Sequence, residues 1–128
     1  MEGAGRVELE SSNLGGFDVT WASRAEDPAG RTSPEELIAA AHASCFAMAL
    51  SNVLAKAGHP PERLETSAVI TFVAGTGITK SALSVKATVS GLDADGFRAA
   101  AEDAKTNCPV SQALAAVPEI TLDAQLDS

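Results

Sequence analysis

Apolar and polar positions alternate along residues 6–11 (RVELES), placing Val7 and Leu9 on one face. They alternate again along 17–23 (FDVTWAS), through Phe17, Val19 and Trp21. The turn formers SNLGG lie between the two segments, so the pattern predicts a β-hairpin. A polar loop follows, RAEDPAGRTSPEE, with two prolines and a glycine. The periodicity then changes. Ser33 stands as an N-cap, Pro34 at the first helical position and Glu36 at the third, the arrangement of a capping box. A helix is predicted from Pro34 to about Ala57, stopped by Gly58 with Pro60 and Pro61 beyond. Its first half, LIAAAHASCFAMAL, is apolar on every side, which predicts burial all round. A chain of 128 residues can hardly wrap such a helix alone, so part of its cover is expected from a second subunit.

Residues 64–74 and 78–89 predict two strands joined by the turn GTG. Asp93 or Asp95 starts a second helix that carries Phe97, Ala101 and Ala104 inward. This helix breaks near Asn107, Cys108 and Pro109, where a short further helix begins. The last segment, EITLDAQL, alternates as a strand. The order is ββ-α-ββ-αα-β. Hairpin connections dominate it, so the expected class is α+β, a mainly antiparallel sheet packed on a long buried central helix. No repeat, linker or low-complexity segment divides the chain, and residues 1–128 form one expected domain.

Composition narrows the partners. Apolar residues make up 45% of the chain but aromatics only 4%, so the core must be aliphatic. The net charge is −8 and the nine basic residues are scattered without a run. This disfavours nucleic acid and anionic membrane surfaces, both of which require clustered Lys and Arg. The start, MEGAGRVELESS, lacks the apolar core of a signal peptide. The apolar run from Leu37 to Leu50 is interrupted by His42 and is shorter than a bilayer span. A cytoplasmic location is therefore expected. In a reducing compartment two lone cysteines are chemical or simply buried, rather than structural staples.

Cys45 lies mid-helix, where a free thiol most often serves as a small hydrophobe. Cys108 sits at the helix break, a place that could flex. A peroxide-reducing cysteine requires a lowered pKa, a pocket and a second thiol to resolve it. Arg24 is the type of residue that holds a thiolate. Taken alone it reads as a solvated charge, and Glu35 as a first-turn acid favoured by the helix dipole. His42 shares a helix face with Cys45 and either activates that thiol or packs in the core. His59 is a loop residue without a partner signal. The two cysteines and two histidines fit no zinc spacing.

The runs TSPEELIAAAHASCFAMALS, KTNCPVSQAL and EITLDAQL resemble the osmotically inducible protein C and organic hydroperoxide resistance family, above all its OsmC branch. The resemblance extends from about Val7 to the C-terminus. It implies an intertwined homodimer that reduces organic hydroperoxides to alcohols. By position, Cys45 matches the peroxidatic cysteine, Cys108 the resolving cysteine, Arg24 the arginine that contacts the reactive sulfur, and Glu35 the glutamate that pairs with this arginine. The implied cycle forms a Cys45 sulfenic acid, then a Cys45–Cys108 disulfide that an external dithiol of lipoyl type reduces; it requires no metal or organic cofactor. For His42 the resemblance favours a packed core residue. Family members usually carry a further N-terminal strand before the segment matching RVELES. The alternatives are an OsmC-like module that binds a small apolar ligand or senses redox state without turnover, and a disulfide oxidoreductase, which commonly has a CxxC absent here.

Helix geometry adds one expectation to the roles that the resemblance implies. Glu35 and Cys45 are ten positions apart on one helix, a separation of about 15 Å along its axis. Glu35 therefore cannot reach the sulfur of its own helix. Either Arg24 spans the gap or Glu35 comes from the other subunit, and the all-apolar helix favours the second.

Overall fold

The computed structural model describes residues 2–127. Strands β1 (Ala4–Leu9) and β2 (Gly15–Thr20) form an antiparallel hairpin with Val7 opposite Phe17. A short helix α1 (Trp21–Ala25) follows, then α2 (Pro34–Lys56), β3 (Arg63–Val73), β4 (Gly77–Thr88), α3 (Ala94–Asn107), α4 (Pro109–Ala113) and β5 (Glu119–Asp127). The hairpin is one sheet; the other has the order β3-β4-β5.

Two expectations are corrected here. The alternation through Trp21 does not continue as strand, because Thr20 turns the chain into α1. The Thr20 hydroxyl accepts from the Ser23 amide at 3.0 Å, and the Ser23 hydroxyl accepts from the Thr20 amide at 3.0 Å. Ser23 also donates to the carbonyl of Thr32 at 2.8 Å, tying α1 to the segment that starts α2. Arg24 thus lies on a helix rather than in the loop. The second correction concerns the sheet. β3 and β4 are antiparallel, but β4 and β5 run parallel, with Leu83 beside Leu122. The connection through α3 and α4 is long enough for the crossover that parallel strands need.

The start of α2 is as expected, with one change. Ser33 accepts from the Glu36 amide at 3.1 Å, but the Glu36 carboxylate turns outward to accept from the Thr32 hydroxyl at 2.6 Å. Gly58, at φ 87°, ends the helix in the left-handed conformation that glycine adopts without strain.

The core forms where α2 and α3 cover one face of β4. From β4 and the residues after it, Leu83, Val85, Ala87 and Val89 point inward at every second position. Phe46, Leu50 and Leu54 meet them from α2; Phe97, Ala101 and Ala104 come from α3. Each large side chain so buried contributes about 1.5–3 kcal/mol. Burial of α2 all round, however, is not achieved within the chain. His42, Phe46, Leu50 and Leu54 form a buried stripe at four-residue spacing, while Ala40, Ala41 and Met48 are exposed, Met48 at 75%. The 23 residues of α2 are also long and apolar enough to cross a bilayer, unlike the shorter run considered above. Here its buried stripe belongs to the core.

Candidate functional site

Two half-sites emerge from this framework. In the first, Cys45 on α2 and Cys108 at the α3–α4 break lie close enough for each thiol to influence the ionisation of the other. Cys108 is fully buried and Cys45 partly so, and both are free thiols. The break puts Cys108 there for a local reason. Its amide still completes α3 by donating to the Ala104 carbonyl at 2.9 Å, and Pro109 then opens α4 at its first position. The electrostatics of the two thiols differ. Burial pushes Cys45 up, and its hydrogen bond with Cys108 adds to the rise, against a smaller lowering by the Val110 amide. Burial pushes Cys108 up as well, but the hydrogen bonds from Cys45, Ser111 and Val110 outweigh it and hold this thiol below its ordinary value.

The second half-site joins Arg24 and Glu35. Arg24 Nε donates to Glu35 Oε1 at 2.6 Å within one chain. The guanidinium carbon lies 4.3 Å from the centre of the Phe72 ring and 5.6 Å from that of Trp21, and these two rings meet edge to face. Cation–π attraction and the carboxylate together fix the charge. The Glu35 side chain is 8% exposed, and its Oε2 finds no hydrogen-bond donor among the described residues. Arg24 and Glu35 line an open cavity of about 500 Å³ with Ala68, Ile70 and Phe72. Cys45 is not among its walls, as the helical rise of about 15 Å between positions 35 and 45 requires. The chain thus brings together Cys45 with Cys108, and Arg24 with Glu35, but does not join the two pairs.

Three further polar residues form a buried cluster. His42 is fully buried; its Nδ1 lies 2.7 Å from Ser81 Oγ and its Nε2 2.7 Å from Ser111 Oγ. His42 therefore bonds two serines and not Cys45, despite sharing a helix face with it. Ser81 and Ser111 carry no motif, and only their buried positions in the fold reveal them. His59, without a partner signal in the sequence, reaches the Ser90 carbonyl at 3.2 Å.

Burial lowers the pKa of His42 from its ordinary 6.5. Between the depressed folded value and the unfolded value, the unfolded chain binds more protons, so stability rises with pH in that window. The protein is expected to lose stability as the pH falls below about 6.5. Urea unfolding between about pH 7 and pH 5, with His42→Gln beside the wild type, checks this. An equal acid loss in the variant would assign it to other groups.

Comparison with known proteins places this arrangement. The OsmC-like protein family model matches residues 26–123. Peroxiredoxin OsmC of Escherichia coli is 46% identical over 129 aligned positions, covering 98% of this chain and 88% of that protein. Among solved structures, an OsmC-like protein from Mycoplasma pneumoniae superposes with a TM-score of 0.74 at 12% identity, over 100% of this chain and 98% of that one. An organic hydroperoxide resistance protein from Legionella pneumophila superposes with a TM-score of 0.67 at 19% identity, over 100% and 97%. These structures share the mixed fold of four helices and two sheets. With a family match over most of its length and a relative at 46% identity, the chain belongs to the OsmC-like protein family.

Proposed function

We propose that the protein is a thiol-dependent peroxidase that reduces organic hydroperoxides. The observation that carries this reading is the meeting of Cys45 and Cys108, the two free thiols, on separate elements. The name of the Escherichia coli relative, peroxiredoxin OsmC, supports it. In the first step the Cys45 thiolate attacks one peroxide oxygen. The O–O bond breaks, an alcohol leaves after taking up a proton, and Cys45 becomes a sulfenic acid. Cys108 then displaces the sulfenic oxygen as water and closes a disulfide. An external dithiol, of lipoyl type on the family resemblance, reduces it by thiol exchange.

Attack by Cys45 requires a charge that one chain does not supply. Burial holds its thiol in the neutral form, while the Arg24–Glu35 pair lies a helix half away. A second protomer resolves both points. Its α2 would cover the exposed apolar side around Met48, and its Arg24 would stand beside Cys45, favouring the thiolate and stabilising charge on the leaving alkoxide. Glu35 then acts on the sulfur only through the Arg24 of its own chain. The apolar surroundings of Cys45 suit an alkyl tail.

The test is direct. Excess organic hydroperoxide is expected to remove both free thiols, and a dithiol to restore them with continued peroxide consumption. Thiols that stay free would leave a ligand-binding or sensing role on the same fold.

A further inference from the structure

We infer that the external dithiol attacks the Cys45 sulfur of the oxidised protein and not that of Cys108, so that the mixed disulfide forms on Cys45 while Cys108 leaves without moving from its place in the core. The inference deepens the peroxidase reading and rests on it for the Cys45–Cys108 disulfide.

The two sulfurs stand in different surroundings. Cys108 is 0% exposed and belongs to the core cluster with Leu83, Ala101 and Ala104. Its backbone is held on both sides: the amide donates to the Ala104 carbonyl at 2.9 Å, and the carbonyl accepts from the Gln112 amide at 3.0 Å. Three positions on, Ser111 Oγ lies 2.7 Å from Nε2 of His42, and both residues are buried, so α4 is pinned to α2. The helix break that could flex is therefore held in place. Cys45 is only partly buried. On α2 it borders the buried stripe beside His42 and Phe46, while Ala41 and Met48, one turn away in either direction, are exposed.

Thiol–disulfide exchange requires the attacking thiolate to approach roughly in line with the bond that breaks. Cys108 belongs to the core cluster and Cys45 packs against that cluster from its edge. The line of attack on Cys45 therefore comes from outside the core, whereas the line on Cys108 runs through it. Solvation of the departing thiolate favours the opposite choice, since a partly exposed Cys45 carries charge more readily than a buried Cys108. Access decides, because attack on Cys108 cannot start until α4 separates from α2, whereas Cys45 already admits the peroxide in the proposed cycle. The exchange is balanced. The first dithiol sulfur, as thiolate, forms a bond to the Cys45 sulfur; the Cys45–Cys108 bond breaks, and Cys108 keeps the electron pair and takes up the proton that the dithiol lost. The second dithiol sulfur then displaces Cys45, which leaves as a thiol after taking up that sulfur's proton. Two protein sulfurs are reduced and the dithiol is oxidised to a cyclic disulfide.

Trapping the mixed disulfide tests this. The full-length wild-type protein, oxidised with diamide and not with peroxide, is mixed with limiting reduced lipoamide, quenched in acid and mapped by peptide mass spectrometry. The dithiol adduct is expected on Cys45, with Cys108 free. An adduct on Cys108, or on both cysteines in comparable amounts, overturns the inference, as does a failure of diamide to join the two thiols. Single-thiol proteins provide a second measurement that does not depend on a short-lived species. With a small aromatic disulfide, native Cys108→Ser, which keeps Cys45, is expected to exchange at least about tenfold faster than native Cys45→Ser, which keeps Cys108. Equal rates in proteins shown to be folded by their melting curves overturn the inference. Thiols that survive excess organic hydroperoxide would sink the peroxidase reading, while the diamide-made disulfide would still show which sulfur the dithiol meets.

Discussion

Cys45→Ser is expected to abolish reduction of a bulky alkyl hydroperoxide, lowering kcat/KM by on the order of a thousandfold or more, as loss of a nucleophile does. Serine is close to cysteine in volume, and Cys45 is only partly buried, so the fold should survive. What disappears is the sulfur that the proposed cycle needs to accept an oxygen from the peroxide. The measurement is steady-state peroxide consumption with excess dithiol, together with a melting curve to show that the variant is folded. Cys108→Ser should differ in kind: with a dithiol unable to reduce sulfenic acid, it stops after one turnover. A Cys45→Ser protein as active as the wild type would end the peroxidase proposal.

Arg24→Met should have the next largest effect, a loss of about 10²–10³ in kcat/KM, the scale on which removing a charge-stabilising donor acts. Methionine keeps an apolar stem against Phe72 and Trp21 but leaves Glu35 buried without its cation. Arg24→Met/Glu35→Gln removes both charges and separates the chemical loss from any destabilisation. Lysine is a poor control, since a compact ammonium does not reproduce the planar donor held between two rings. Mixing decides where the arginine acts. If Arg24 of one protomer serves Cys45 of the other, combining inactive Arg24→Met and Cys45→Ser proteins creates mixed dimers with one complete site, and activity returns. If Arg24 serves its own chain, mixing restores nothing.

The sequence carried signals only where local chemistry decides structure. The limits of α2 could be read because Ser33, Pro34 and Gly58 act within a turn of where they stand. The helix α1 was hidden because Trp21 continues an alternating pattern, while the Thr20–Ser23 exchange that overrides it uses serine in place of the acid that usually marks a capping box. The parallel pairing of β5 was hidden because alternation has no direction: Ile120 and Leu122 would face the core in either orientation. The cysteines, Arg24 and Glu35 were recognisable from the runs around them. The fold adds the pairing of Arg24 with Glu35 inside one chain and the separation of this pair from the thiols. The partners of His42 lie 39 and 69 positions away, beyond the reach of any local pattern.

That separation along α2 has a consequence for the life of the protein. On the proposed reading, a newly made chain carries a thiol without its cation and a cation without its thiol, and its exposed apolar side awaits a second copy. On the proposed reading it is therefore slow to react with peroxide, and safe from irreversible overoxidation, until it finds a second copy. Assembly then serves as the arming step, and at high dilution the specific activity of the protein would decline together with its state of association.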